Sequence, residues 1–447
     1  MTAPNKTSNT IAVRGSILHF IDDPGDGSIP GAFEFYADGI LIAEEGYITK
    51  VGEARALSAG LADQVDITDY TGALILPGFV DTHTHVVQTD IVASHGGQLL
   101  NWLDKYTYPA ESAFASEAHG RETADFFLDE LLRNGTTTAM VLGSVHRASV
   151  DAVFSAALER RMRLIAGKAM MDRGCPERVR DTASSSYAES KALIERWHDR
   201  DRLQYAVTPR FAVTSTADQL ACAGRLAREH PGVLVQTHLA ENKEEVALVA
   251  ELFPDRRSYL DVYDHFGLIG TRSVLAHGIW LDDEDVVRLA ESGAAIAHCP
   301  TCNLFMGSGL LDVDRMAAAG VNVALGTDIG GGTTFSMLRV LHEAYKVAQL
   351  VGKSLPPLRA LYLATLAGAR ALHLDTRIGN FLPGKEADFV VLDLHATPLL
   401  KRRMERAETL AEKLFVLMML GDDRVVAATY LMGERVHDGL TDVTADA

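Results

Sequence analysis

The stretch Pro77-Gly78-Phe79-Val80-Asp81-Thr82-His83-Thr84-His85 decides how the chain is read. The apolar run Ala73-Leu74-Ile75-Leu76 leads into it, so the segment reads as a buried strand that ends in polar residues. Side chains of a strand alternate between its faces, so His83 and His85 project to the same side. Two imidazoles at that spacing can hold a metal, yet alone the pair reads as readily as two polar residues at a strand terminus.

Working outward, seven more short apolar runs follow: TTTAMVLG from Thr136, RLIAGKAM from Arg163, LQYAVTPR from Leu203, VLVQTHLAE from Val233, SVLAHG from Ser273, AAIAHCP from Ala294 and NVALGTD from Asn322. Helical patterns separate them, for example ADFFLDELLRNG from Ala124, with its apolar period and terminal glycine. Eight strands alternating with helices predict an α/β chain built on a (β/α)8 TIM barrel, whose working groups sit at the C-terminal ends of its strands. On that count both histidines face the barrel lumen. His238 in VQTHLAEN, His277 in VLAHGIWL and Asp328 in ALGTDIGGG end later predicted strands and share the same rim. Any one of them reads as an ordinary core or surface residue, but five on one rim read as a metal site.

The chain ends have a different pattern. AFEFYADGILIAEEGYITKVG, residues 32–52, predicts antiparallel strands with hairpin turns at Asp38-Gly39 and Glu45-Gly46. ADFVVLDL from Ala387 and VVAATYLMGERV from Val425 are also β-rich. Residues 1–75 and 383–447 are therefore expected to form one small β-sandwich domain, and residues 76–382 the barrel domain.

Composition narrows the function. Forty-two Lys and Arg against 60 Asp and Glu give a net charge of −18, which repels nucleic acid and anionic membranes. The apolar run FVLMML from Phe415 falls well short of the roughly 20 residues that span a bilayer, and MTAPNKTSNTIAVRG lacks the pattern of a secretory leader. Four cysteines among 447 residues are too few for a disulfide framework. A cytoplasmic protein is expected.

The residues on the rim resemble the metal-dependent amidohydrolase superfamily and, within it, the guanine deaminases. The wider resemblance rests on PGFVDTHTH, the His238 and His277 strand ends and LGTD. The closer one rests on TDIVASHGGQLLNWLDKYTYPAE, VTPRF, THLAENKEEV, the CNL of HCPTCNLFMGSG, and LGTDIGGGTTFSML. It covers residues 75–345 densely and the flanks loosely. It implies one catalytic zinc per chain, held by His83, His85, His238 and Asp328, with His277 beside them as ligand or orienting residue. Imidazole and carboxylate ligands suit zinc, and a position left open for water makes such a site catalytic.

The resemblance also implies that Glu241 shuttles protons while Asp328 takes the proton of the attacking water. Without it, Glu241 in AENKEE reads equally as a carboxylate at a helix N-terminus. Gln88, Arg210 and Phe211 match purine-binding positions; His238 is counted with them, and Trp102 is expected to close the pocket. An arginine can donate paired hydrogen bonds to the carbonyl edge of guanine, and an aromatic ring can stack on the base. The implied reaction is hydrolysis of guanine to xanthine and ammonia by a homodimer. The alternatives are another aminohydrolase, acting on an adenosine-derived, triazine or pterin ring, and an inactive barrel scaffold.

Four features are set aside. Cys299-Pro300-Thr301-Cys302 has redox spacing but falls at a barrel-strand end rather than at a helix start after a first strand. Gly352-Lys353-Ser354 lacks the first glycine of a phosphate loop, position 347 being valine. Lys168 reads as structural or as supporting the site from behind the ligands, and Gly330-Gly331-Gly332 as permitting close backbone approach at the barrel mouth.

Overall fold

The computed structural model describes residues 10–59, 65–95 and 97–439. Most of the amino-terminal stretch read for a leader, residues 1–9, lies outside the described residues. The strands in chain order are β1 (Thr10–Phe20), β2 (Phe33–Glu44), β3 (Tyr47–Glu53), β4 (Ile67–Pro77), β5 (Phe79–His85), β6 (Thr136–Leu142), β7 (Arg163–Gly167), β8 (Ala169–Met170), β9 (Leu203–Pro209), β10 (Leu234–Leu239), β11 (Ser273–His277), β12 (Ala295–His298), β13 (Asn322–Leu325), β14 (Phe389–Asp393), β15 (Val426–Leu431) and β16 (Glu434–Asp438).

Strands β5 to β13 form the expected barrel of eight parallel strands, in chain order, with β8 continuing β7 beyond Lys168 and pairing with β9. Helices cross between them because each carries one apolar stripe. In the helix Glu117–Arg133, Ala124, Phe127, Leu128, Leu131 and Leu132 are buried at helical spacing, and Ser116 caps the first turn by accepting from His119 N. Each large side chain buried this way contributes roughly 1.5 to 3 kcal/mol.

The seam between the last and first strands is closed by a few specific bonds. Asp328 N donates to the His83 carbonyl at 2.9 Å, and Thr82 Oγ1 donates to the Leu325 carbonyl at 2.9 Å. The Asp81 carboxylate accepts from His83 N at 3.2 Å and from Thr327 N at 3.0 Å, and also takes the Thr327 hydroxyl. Burial pushes the Asp81 carboxyl up to about 7 despite these donors.

Both chain ends meet in one seven-stranded sheet, ordered β16-β15-β14-β4-β1-β2-β3. It is one continuous sheet that curls on itself, so Val13, Leu41 and Ile48 share an interior with Phe389 and Tyr430. The curl is tied where Ala387 N donates to the Gly46 carbonyl at 2.8 Å and Ile48 N to the Lys385 carbonyl at 2.7 Å. The pairing is antiparallel except between β1 and β4. Glu45-Gly46 makes the expected hairpin turn, with φ of 51° and 87°. Asp38-Gly39 does not turn: β2 runs straight through it, and Gly39 lies opposite Gly15. A Cβ at Gly39 would come within 2.9 Å of Ile17 Cδ1, so this glycine serves close packing inside a strand.

A buried ion cluster ties the barrel to this sheet. Arg163 Nε donates to Glu386 at 2.9 Å, Arg202 Nη2 donates to Glu386 at 2.6 Å, and Arg202 also pairs with Asp388. Among the described residues no helix is long and apolar enough to cross a membrane. Removing one member of a buried ion cluster leaves charge uncompensated, which typically costs about 3 to 5 kcal/mol. Glu386→Ala is therefore expected to lower the thermal unfolding midpoint by several degrees while the folded fraction keeps its metal content. A midpoint within one degree of wild type, by scanning calorimetry, would show that the cluster does not hold the two parts together.

Candidate active site

Four ligand-type atoms converge at the C-terminal mouth of the barrel. His83 Nε2 and His85 Nε2 lie 3.3 Å apart, His85 Nε2 and His238 Nε2 3.2 Å apart. Asp328 Oδ1 is 3.3 Å from His83 Nε2 and 3.2 Å from His85 Nε2. All four side chains are buried, and these atoms lie within 4.8 Å of one another. Four ligands each roughly 2.0 to 2.1 Å from a central zinc define tetrahedral edges of about 3.3 to 3.4 Å. The cluster therefore fits a divalent metal.

The protonation states agree with that fit. Burial holds the His85 imidazole down at about 3 and drives His238 well below its ordinary value, so both are neutral and able to ligate. Burial alone would raise the Asp328 carboxyl, but His83 and His85 beside it outweigh burial and keep it well below the usual range. His238 Nδ1 lies 2.8 Å from the Arg210 carbonyl, to which His238 N also donates at 3.1 Å. One carbonyl thus sets the ring so that Nε2 faces the cluster. The loop bearing Asp328 comes close because Gly326 lacks a Cβ, which would stand 2.9 Å from His83 Cβ. Asp328 and His277 adopt positive φ, 53° and 73°, conformations that cost non-glycine residues of order 1 to 3 kcal/mol each.

His277 stands beside the four converging atoms rather than among them. Its Nε2 is 3.4 Å from Glu241 Oε2 and 3.7 Å from Asp328 Oδ2, and its Nδ1 is 2.9 Å from Asn303 Oδ1. Burial pulls this imidazole down, but the carboxylates of Glu241 and Asp328 outweigh it and raise the group above its ordinary value. His277 thus bridges the ligand cluster and Glu241, and its ligand atom also lies within 4.8 Å of those of Cys299 and Asp328.

Glu241 is held from three sides. Ser308 Oγ donates to its Oε1 at 2.7 Å, and Cys302 Sγ lies 3.9 Å away. Its backbone N–H donates to Glu245 Oε2 at 2.9 Å. Glu245 also accepts from Asn242 N and, through its other oxygen, from Tyr259 OH at 2.7 Å. This is a capping box at the helix Lys243–Leu252, legible in Asn242-x-x-Glu245 though not singled out above. Ser308 is in turn fixed by Trp280 Nε1, which donates to its carbonyl at 2.9 Å.

The metal-type cluster opens into a pocket lined by His85, Gln88, Trp102, Arg210, Phe211, His238, Glu241 and Asp328 from the expected set. Leu99, Leu103, Cys302, Met306 and Gly331 complete the wall. The residues come from the ends of β5 and β10 and from the segments after β5, β9, β10, β12 and β13, so the pocket forms only when the barrel is closed. Arg210 is buried against the Tyr108 ring, 6.0 Å from its centroid, and pairs with Glu111. Burial lowers the guanidinium, and Glu111 outweighs that effect so that it stays charged.

The patterns set aside also resolve. Cys299 directly follows the barrel strand β12, as expected, and the pair also opens the short helix Pro300–Phe305, which does not follow a first strand. Both are free, and burial raises both thiols well above their ordinary value, the reverse of a redox-active pair. Lys168 is fully buried, pairs with Asp181 and lies 3.3 Å from Glu189, away from the metal-type cluster. A Cβ on Gly332 would stand 1.8 Å from the Thr327 carbonyl and one on Gly331 2.7 Å from Cys302 Sγ, so the glycine run is required by close approach.

Residues 74–436 match the model of the amidohydrolase family. The chain is 50% identical over 430 residues to the guanine deaminase of Escherichia coli K12, covering 96% of this chain and 98% of that one. A crystal structure of guanine deaminase from Bradyrhizobium japonicum superposes with a TM-score of 0.93 at 37% identity, covering 96% of this chain and 99% of that one. One from C. acetobutylicum, with bound guanine in the active site, superposes with a TM-score of 0.86 at 27% identity, covering 96% of this chain and 100% of that one. A barrel whose mouth gathers three histidines and an aspartate, matched across nearly its whole length, belongs to the amidohydrolase family and falls among its guanine deaminases.

Proposed function

We propose that this chain hydrolyses guanine to xanthine and ammonia, with one zinc ion held by His83, His85, His238 and Asp328. The observation that carries the reading is a single pocket in which this ligand cluster faces Arg210, Gln88 and Phe211. The relative from C. acetobutylicum, described with guanine in its active site, supports the same substrate here. When bound, the metal acts as a Lewis acid that lets water serve as nucleophile near neutral pH.

The protein's own groups do the rest. Arg210 donates from its guanidinium fork to the carbonyl edge of the base, and Phe211 lies along the ring. Adenine would present an amine donor at that edge and leave the arginine's donors unpaired. Gln88 and Trp102 close the other side of the pocket. Glu241, between the ligand cluster and the base, carries a proton to the ring nitrogen beside the reacting carbon, held in line by Ser308 and by His277. Asp328 turns its second oxygen toward His277 and accepts the proton of the attacking water. Closure around these groups excludes bulk water and strengthens each polar contact. The same reading makes the protein a cytoplasmic homodimer that takes a small-molecule substrate and neither nucleic acid nor membrane. The free cysteines support the cytoplasmic setting, and the net charge of −18 supports the exclusion of nucleic acid and anionic membranes.

Three outcomes test this reading. Glu241→Gln keeps the shape of the side chain but cannot move protons, so it should retain metal and lose about a hundredfold or more in kcat on guanine. Near-wild-type turnover would remove Glu241 from proton transfer. His83→Ala or Asp328→Ala should lose bound zinc and activity together, and full occupancy by elemental analysis in either variant would take that residue out of the ligand set. Arg210→Leu should cut kcat/KM on guanine tenfold or more, because each unpaired contact is worth roughly 1 to 3 kcal/mol, while residual activity on adenine changes little. Equal losses on both bases would contradict the assigned recognition.

A further inference from the structure

Glu111 is fully buried and takes no part in the chemistry described above. It lies on the short helix Tyr108–Ser112, where its backbone carbonyl accepts from Ser144 Oγ at 3.0 Å, fixing it to the segment after β6. One oxygen, Oε1, accepts from both Gln88 Nε2, at 3.2 Å, and Arg210 Nη1. The other, Oε2, has no protein partner. A carboxylate only accepts hydrogen bonds, so the Gln88 NH2 group is the edge that faces Glu111, and the same nitrogen also stands 3.1 Å from His85 Nδ1. The Gln88 carbonyl is thereby turned away, to 3.4 Å from Gly330 N. The same oxygen engages one arm of the Arg210 fork and leaves the other donors free. It also balances the buried guanidinium charge, so that the arginine can meet a neutral base without needing an anion from the ligand.

We propose that Glu111 is a positioning residue for base recognition, setting the amide orientation of Gln88 and the fork of Arg210 through one shared oxygen. The proposal rests on the reading of Gln88 and Arg210 as purine contacts. It explains why two residues 122 positions apart in the chain act as one reader: β5 and β9 each deliver one of them, and the segment between β5 and β6 supplies the carboxylate that joins them.

The test is steady-state kinetics on guanine for the metal-loaded wild type, Glu111→Gln, Gln88→Ala/Arg210→Leu and the triple variant, with metal per chain measured on each. Glu111→Gln is expected to raise KM about tenfold or more with kcat within about threefold and metal unchanged. In the Gln88→Ala/Arg210→Leu background, which lacks both groups that Glu111 positions, the same substitution should change KM less than about threefold, because groups that act through one another are not additive. Glu111→Asp keeps the charge but draws the oxygen back, so it should fall between wild type and Glu111→Gln. It carries the test if Glu111→Gln fails to fold. A wild-type KM in Glu111→Gln or Glu111→Asp, or the same factor of loss in both backgrounds, overturns the proposal. A wild-type enzyme inactive on guanine would overturn the functional reading instead, which is a different result from an active enzyme indifferent to Glu111.

Discussion

The whole arrangement hangs on the bond from Asp328 N to the His83 carbonyl. Together with the Thr82–Leu325 and Asp81–Thr327 bonds it joins the end of the barrel to its first strand, and the two residues it links are both members of the ligand cluster. Closing the barrel and assembling the metal-type site are therefore the same event. Asp81 reinforces it by holding His83 N and Thr327 N with a single oxygen. A carboxylate buried without these donors would be costly, so the seam keeps a polar group only because that group is fully used.

Charge is balanced locally around the pocket. Arg210 has Glu111 beside it, His277 has Glu241 and Asp328, and Glu241 has the hydroxyl of Ser308. Such pairing lets ionised groups remain charged away from water, where their fields act on a bound ring with little screening. The positive φ values of His277 and Asp328 belong to the same economy. Strained strand ends aim side chains across the mouth, and the packed barrel beneath them supplies the stability that holds the strain.

Much of this was legible in the residues themselves. Alternation within DTHTH put both histidines on one face, and strand-end positions marked His238, His277 and Asp328, because a barrel confines its working groups to one rim. Less was legible where a residue's role depends on a distant partner. Glu111 sits in YPAE as one more acidic residue, and nothing in its neighbours says that Gln88 and Arg210 will meet on it. Ser308 and Trp280 were silent for the same reason. Glu245 had a local signal, the capping box, whose consequence for Glu241 needs the three-dimensional turn. Asp38-Gly39 carried a true turn signal that tertiary packing overrode, since the glycine was needed against Ile17 within the strand.

The account's central claim is that one metal ion, bound where the barrel closes, makes a guanine-hydrolysing centre. The most direct measurement is titration of metal-stripped protein with zinc while xanthine formation is followed. The account predicts negligible activity without metal and a linear rise that levels off at one equivalent per chain. Activity in the stripped protein, or a rise that continues to two equivalents, would contradict it.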